Sequence, residues 1–98
     1  TDKEIQRFEI LIPGSANNLM DPIMMGMSPG ESFPSSGPHA GEEFGYVLSG
    51  VLTLTVGKKV FKVSPRHCFY FEADQSHQFF NRGKVTTNFL WITAPPQM

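Results

Sequence analysis

PHAGEEFGYVLSG, residues 38–50, decides the fold of this chain. It sets His39 four positions before Glu43 and then runs through an alternating, β-type segment to Gly50. From Glu43 onward a period of two places Gly45 and Val47 on the glutamate's face, with Phe44, Tyr46 and Leu48 on the other. A glycine on the glutamate's side suits close approach of a ligand or of another backbone. Ala40 and Gly41 form a small, flexible corner that can turn His39 and Glu43 toward one space, while Glu42 points away into solvent.

FYFEADQSHQFFN, residues 69–81, supplies His77 after a short polar turn. His77, Phe79 and Asn81 share a face, which sets an aromatic wall and an amide beside the histidine. Two imidazoles and one carboxylate can hold a divalent metal (iron, zinc, manganese or nickel) and leave one side of it open. A largely apolar pocket with a few convergent polar groups is the usual form of a small-molecule site. His39, Glu43 and His77 are therefore the candidate metal ligands, and Gly45, Val47, Phe79 and Asn81 the candidate ligand-binding residues. The plainer alternative makes His39 and Glu43 a surface loop pair and His77 a hydrogen-bonded core histidine at a strand start.

Outward from these segments the chain is a string of short strands. RFEILI (residues 7–12) stops at Pro13-Gly14, and the Ser-Ala-Asn-Asn that follows is turn chemistry. MDPIMMGMS (20–28) carries Pro22, which belongs at an edge or a strand start. Residues 31–38, rich in Ser, Pro and Gly, read as a loop. EFGYVLS, VLTLTVG and KVFKVS follow in close succession, with Gly50 and Gly57-Lys58 expected at hairpin turns. CFYF, HQFF and VTTNFLWIT complete about eight strands, and no window carries a helical period. This pattern predicts an all-β sandwich or barrel. The stretch 1–6 reads as the end of a linker, leaving 7–98 as one domain.

Composition narrows the function. Eight Lys plus Arg against nine Asp plus Glu give a formal charge of -1, with no basic cluster for gripping nucleic acid. Lys58, Lys59 and Lys62 form a solvated hairpin. The single cysteine, Cys68, excludes an intramolecular disulfide and fits a reducing compartment; it reads as a buried or half-buried side chain. No apolar run approaches the roughly 20 residues of a membrane span, and no signal pattern opens the chain, so a cytoplasmic protein is expected. Met20, Met24, Met25 and Met27 read as core and pocket filler, and His67 as a turn residue.

The order HxxxE, a YVLSG strand, a glycine-turn hairpin and FYFxADxxHxFxN resembles the two motifs of the cupin superfamily over roughly residues 20–93. His39 takes the place of the second motif-one histidine, Glu43 the glutamate and Gly50 the closing glycine. His77 and Asn81 take the histidine and asparagine of motif two. Gly37 stands where a further histidine would complete a four-ligand cup, and Arg66-His67, Glu72 and Asp74 replace other motif-two residues. The resemblance implies a cupin jelly-roll barrel with a three-ligand metal site at His39, Glu43 and His77. The whole string is also similar to the C-terminal cupin domain of XRE-type helix-turn-helix regulators. That likeness implies a domain that binds a small effector and forms a homodimer, with DNA contacted by a separate N-terminal domain. A second likeness, to hydroxypropylphosphonic acid epoxidase, implies a mononuclear non-haem oxidoreductase using the same triad. A third class, a metal-free small-molecule-binding barrel, keeps Glu43 and His77 as hydrogen-bonding groups. No catalytic residue is assigned.

Overall fold

Each of the eight alternating segments forms a strand in the computed structural model, which describes residues 3–4, 7–13 and 17–96. The strands are β1 (Lys3–Glu4), β2 (Phe8–Ile10), β3 (Asp21–Met27), β4 (Glu31–Ser36), β5 (Glu42–Ser49), β6 (Leu52–Val56), β7 (Lys59–Val63), β8 (Cys68–Glu72), β9 (His77–Phe80) and β10 (Thr87–Ala94). They build two five-stranded sheets, ordered β1-β4-β9-β6-β7 and β2-β3-β10-β5-β8. All pairings are antiparallel except β1 with β4. No helix of the described residues is long and apolar enough to cross a membrane.

Two strands were not expected. The 31–38 stretch, read as a loop, contributes β4, because Ser32 and Phe33 pair with Phe80 and Phe79 and the Phe33 ring packs onto the core. Tertiary pairing overrides its turn-rich composition, and the price is a break in register between Phe33 and Ser36. Within the stretch read as a linker, Lys3 and Glu4 pair with Glu31 and Ser32. The rest of 1–6, the middle of the turn at 14–16, and 97–98 lie outside the described residues. Pro22 sits at the second position of β3, where a strand start tolerates it.

One expected hairpin is a corner instead. β5 and β6 belong to different sheets, and Gly50, at φ 77°, carries the chain from one to the other. A Cβ there would come within 2.6 Å of the Thr86 carbonyl. The Gly57-Lys58 turn does close a hairpin, with Val56 opposite Lys59.

Register stacks the inward side chains in layers. On the β3-β10-β5-β8 side, one row holds Asp21, Thr93, Glu43 and Phe71, and the next Ile23, Trp91, Gly45 and Phe69. Met25, Phe89 and Val47 follow, then Met27 and Thr87. The opposing sheet answers with His77, Val56 and Lys59, then Phe79, Leu54 and Phe61, then Leu52 and Val63. The upper row of each sheet is thus largely polar, the rows beneath it are an aromatic and aliphatic core, and Thr87 and Asn81 lie buried at the far end. Phe79 meets Trp91 at 5.3 Å and Phe89 at 5.2 Å edge-on, and such pairs add about 0.5–1.5 kcal/mol each beyond area burial. Gly45 makes room for the Phe69 ring, which a Cβ there would overlap.

The outer face of the same sheet carries Phe44 and Leu48 exposed and Tyr46 half-buried, as the period of two requires. Cys68 is exposed on that face beside Tyr46, against the expectation of burial: β8 turns Phe69 and Phe71 inward, so Cys68, Tyr70 and Glu72 point out.

Candidate metal centre

The two histidine-bearing segments are fastened to each other before any side chain is considered. The His39 N–H donates to the Ala73 carbonyl at 2.7 Å, and the Ala73 N–H donates to the Gly41 carbonyl at 2.9 Å. Ala73, fully buried, lies in the turn between β8 and β9, so the loop before β5 and the turn before His77 are clasped at one residue. Glu43 enters from β5 and His77 from β9, across the sandwich from one another.

At this clasp both imidazoles address one carboxylate oxygen. Glu43 Oε2 lies 2.8 Å from His77 Nε2 and 3.2 Å from His39 Nε2. The other oxygen, Oε1, accepts a 2.7 Å hydrogen bond from the Trp91 indole N–H. Glu43 and His77 are buried, and His39 is half-buried at the rim. The His39 and His77 rings sit 5.3 Å apart, and Phe71 covers His77 at 4.9 Å.

The far nitrogens fix the protons. His77 Nδ1 is 3.0 Å from the Gln75 carbonyl and His39 Nδ1 is 3.0 Å from the Ala40 carbonyl. A carbonyl can only accept, so in a neutral ring the hydrogen sits on Nδ1 and the Nε2 lone pair faces Glu43. Lone pair against carboxylate is repulsive unless a proton or a cation stands between them. Protonated, His77 Nε2 makes an ion pair with Oε2 at 2.8 Å; in the neutral ring it has no hydrogen-bond partner among the described residues. Burial disfavours a charged His77, but the Glu43 carboxylate and the Gln75 carbonyl outweigh it and raise its pKa above the ordinary 6.5.

A divalent metal resolves the same conflict. All three donor atoms lie within 4.8 Å of one another. Donors about 2.1 Å from an ion and at right angles are about 3 Å apart, which matches the two nitrogen–oxygen separations. Carbonyls holding Nδ1–H and an indole holding the free carboxylate oxygen are the supports that ligating residues commonly have. The residues present fit a metal ion.

The structure brings together His39, Glu43 and His77. It sets Gly45, Val47 and Phe79 in the layers beneath them, filled by the core. Asn81 lies four residues along from His77, about 13 Å by strand rise. There its amide donates to the Met27 and Val85 carbonyls at 2.8 Å each and accepts from the Gly83 N–H at 2.9 Å. Trp91 and the row neighbours Asp21, Thr93 and Phe71 did not emerge from the sequence. Their alternation in β3, β8 and β10 showed they face inward, but only the inter-strand register shows which residue they face.

A cleft of about 910 Å³ opens beside the triad, between the unpaired edges of β7 and β8. Leu54, Val56, Phe69 and Phe71 form its apolar floor, and Lys59 and Phe61 reach into it. Val56 and Phe71 separate it from His77.

A family model described as Cupin domain matches residues 23–93. No curated protein sequence matches the chain. Among solved structures the chain is similar to the Cupin_2 domain of an XRE family transcriptional regulator from Enterobacter cloacae, with a TM-score of 0.81 and 22% identity over 93% of this chain and 97% of that one. It is also similar to an HTH_3 family transcriptional regulator from Vibrio cholerae (TM-score 0.78, 20% identity), covering 92% of this chain but 51% of the other. A predicted oxalate decarboxylase from Thermotoga maritima gives a TM-score of 0.80 at 20% identity, covering 91% of this chain and 79% of that one. At these identities the solved structures speak for the fold, and the matched family model, covering most of the sequence and both histidine-bearing segments, makes this chain a member of the cupin family.

Proposed function

We propose that this domain is a small-molecule sensor in which His39, Glu43 and His77 hold a divalent metal, and that it serves as the effector-binding module of a transcriptional regulator. The observation that carries the metal is the convergence of two Nε2 atoms on one buried carboxylate oxygen, with both Nδ1 atoms facing backbone carbonyls. The likeness to regulator cupin domains over nearly the whole chain supports the sensing role. When bound, the ion supplies a Lewis-acidic position open to a ligand donor. Glu43 neutralises part of its charge, Trp91 keeps one carboxylate oxygen occupied, and Phe71 shields His77 from water. Sensing requires the effector to favour one conformation or assembly over another, since equal affinity for both shifts nothing. A second copy of the chain, packed on the exposed Phe44, Leu48 and Tyr70 face, gives that assembly. With a formal charge of -1 the domain itself leaves DNA to another part of the protein.

The chain's single tryptophan touches a ligand, so the site carries its own reporter. Metal content by plasma mass spectrometry, on protein purified without a histidine tag or chelator, is expected to approach one equivalent. Added zinc or nickel should change Trp91 fluorescence with the same stoichiometry. The double variant His77→Ala with Glu43→Gln should lose both signals; unchanged metal content in it would rule out the triad. The donor set also suits oxygen-dependent oxidation at iron, and turnover of a substrate with iron and oxygen would move the domain to that class. A wild-type protein that takes up no metal would instead be a metal-free binding barrel.

A further inference from the structure

Among the described residues, Thr93 is a buried side chain whose one polar atom has no hydrogen-bond partner. It is fully buried, and its hydroxyl makes no hydrogen bond among the described residues. Buried polar atoms are nearly always paired, so an orphan needs a reason. Its position supplies one. Thr93 is the cross-strand partner of Glu43 on one side and of Asp21 on the other. Side chains directly opposite in neighbouring strands hold their Cβ atoms about 5 Å apart. Asp21, Thr93 and Glu43 therefore form one inward row, with Asp21 also buried. His77 Nε2, whose neighbour is the Glu43 carboxylate at 2.8 Å, faces the same layer from the opposing sheet.

We propose that Thr93 positions the small molecule held on the open side of the triad: its hydroxyl hydrogen-bonds the oxygen that the molecule presents there, and Asp21 beside it accepts a hydrogen bond from the same molecule. A neutral hydroxyl is a weak metal ligand next to imidazole and carboxylate, so Thr93 acts on the ligand rather than on the ion. The class of ligand follows. It carries an oxygen acceptor adjacent to an N–H or O–H donor, as hydroxy- or amino-substituted carbonyl compounds do. This inference rests on the metal reading above, and the test keeps the two apart.

Cobalt(II) is loaded first and counted by its visible spectrum, and acetohydroxamate, which offers two oxygens and an N–H, is then titrated. Thr93→Val keeps the shape and removes the hydroxyl. It should bind cobalt as wild type does yet bind acetohydroxamate about tenfold more weakly, the effect of one buried hydrogen bond. Thr93→Ser should restore most of that loss. The metal-free Thr93→Val protein should melt no lower than wild type, because it no longer buries an unpaired hydroxyl; a structural threonine would give the opposite. Asp21→Ala should weaken acetohydroxamate but not acetate, which brings no donor. Equal acetohydroxamate affinity in wild type and Thr93→Val, with cobalt bound in both, would overturn the assignment and leave the triad standing. Loss of cobalt in Thr93→Val would overturn it by making Thr93 a support of the metal. Failure of wild type to take up cobalt would remove the triad and this inference together.

Discussion

Thr87 and Thr93 lie on one strand, six residues apart, both fully buried and both facing inward. Thr87 Oγ1 donates to the Val51 carbonyl at 2.9 Å, and Thr93 Oγ1 has no partner. The contrast extends to the two ends of the sandwich. At the Thr87 end, Asn81 uses both amide hydrogens and its oxygen on the backbone. At the Thr93 end, His77 Nε2 has only the Glu43 carboxylate before it, 2.8 Å away, and needs a proton or a cation to satisfy the contact. This chain can satisfy buried polar groups, and does so where the role is to hold loops together. Where it does not, the unpaired Thr93 hydroxyl shares a layer with three metal-type donors. The lesson is that one end is finished by folding and the other by binding.

The comparison breaks most visibly at Asn81. Asn81→Ala should lower the free energy of unfolding by about 3 kcal/mol in urea titrations, because two carbonyls and an N–H lose their buried partner. Metal stoichiometry should not change. A loss of metal with unchanged stability would make Asn81 part of the site and collapse the distinction between the ends. Smaller in size, Thr87→Val should cost about 1–2 kcal/mol in the same measurement, whereas Thr93→Val should cost nothing in the metal-free protein. Equal costs at both positions would remove the contrast on which the functional reading of Thr93 rests.

The gentlest test is pH. His77 has a raised pKa in the metal-free fold, where burial is outweighed by Glu43 and the Gln75 carbonyl. Its protonated form therefore contributes stability that is whole below the ordinary 6.5 and fades as pH rises through the raised value. A metal requires the deprotonated ring, so stabilisation by zinc grows through that same interval. Melting temperatures with and without zinc should diverge by a few degrees as pH rises from below the ordinary 6.5 through the raised value. Parallel curves would mean that the ion and the proton do not compete for His77.

Much of this was legible in residue order. Alternation found eight of the ten described strands, and the HxxxE spacing with the later histidine named the three residues that converge. β4 was hidden because SFPSS has the composition of a turn and becomes a strand only when Phe79 and Phe80 pair with it. Gly50 was misread as a hairpin because a glycine of positive φ serves a corner between sheets equally well. Asn81 shares a face with His77, as the period of two requires, but distance along the strand carries it to the other end. Trp91, Thr93 and Asp21 could not be matched to Glu43, since register between strands distant in sequence is a property of the assembled sheets and not of any local window.

The clasp at Ala73 has a thermodynamic consequence for the ion. Fixing the backbone of a loop residue costs about 1–2 kcal/mol of conformational entropy. Because two backbone hydrogen bonds to Ala73 hold the 39–41 segment in the folded chain, that ordering belongs to folding and not to metal capture. With Glu43 gripped by Trp91, and His77 by the Gln75 carbonyl, capture is left with little beyond the His39 side chain to immobilise. Such preorganisation raises affinity without adding a contact, so a lengthened 37–41 loop should weaken the site even with all three ligands retained.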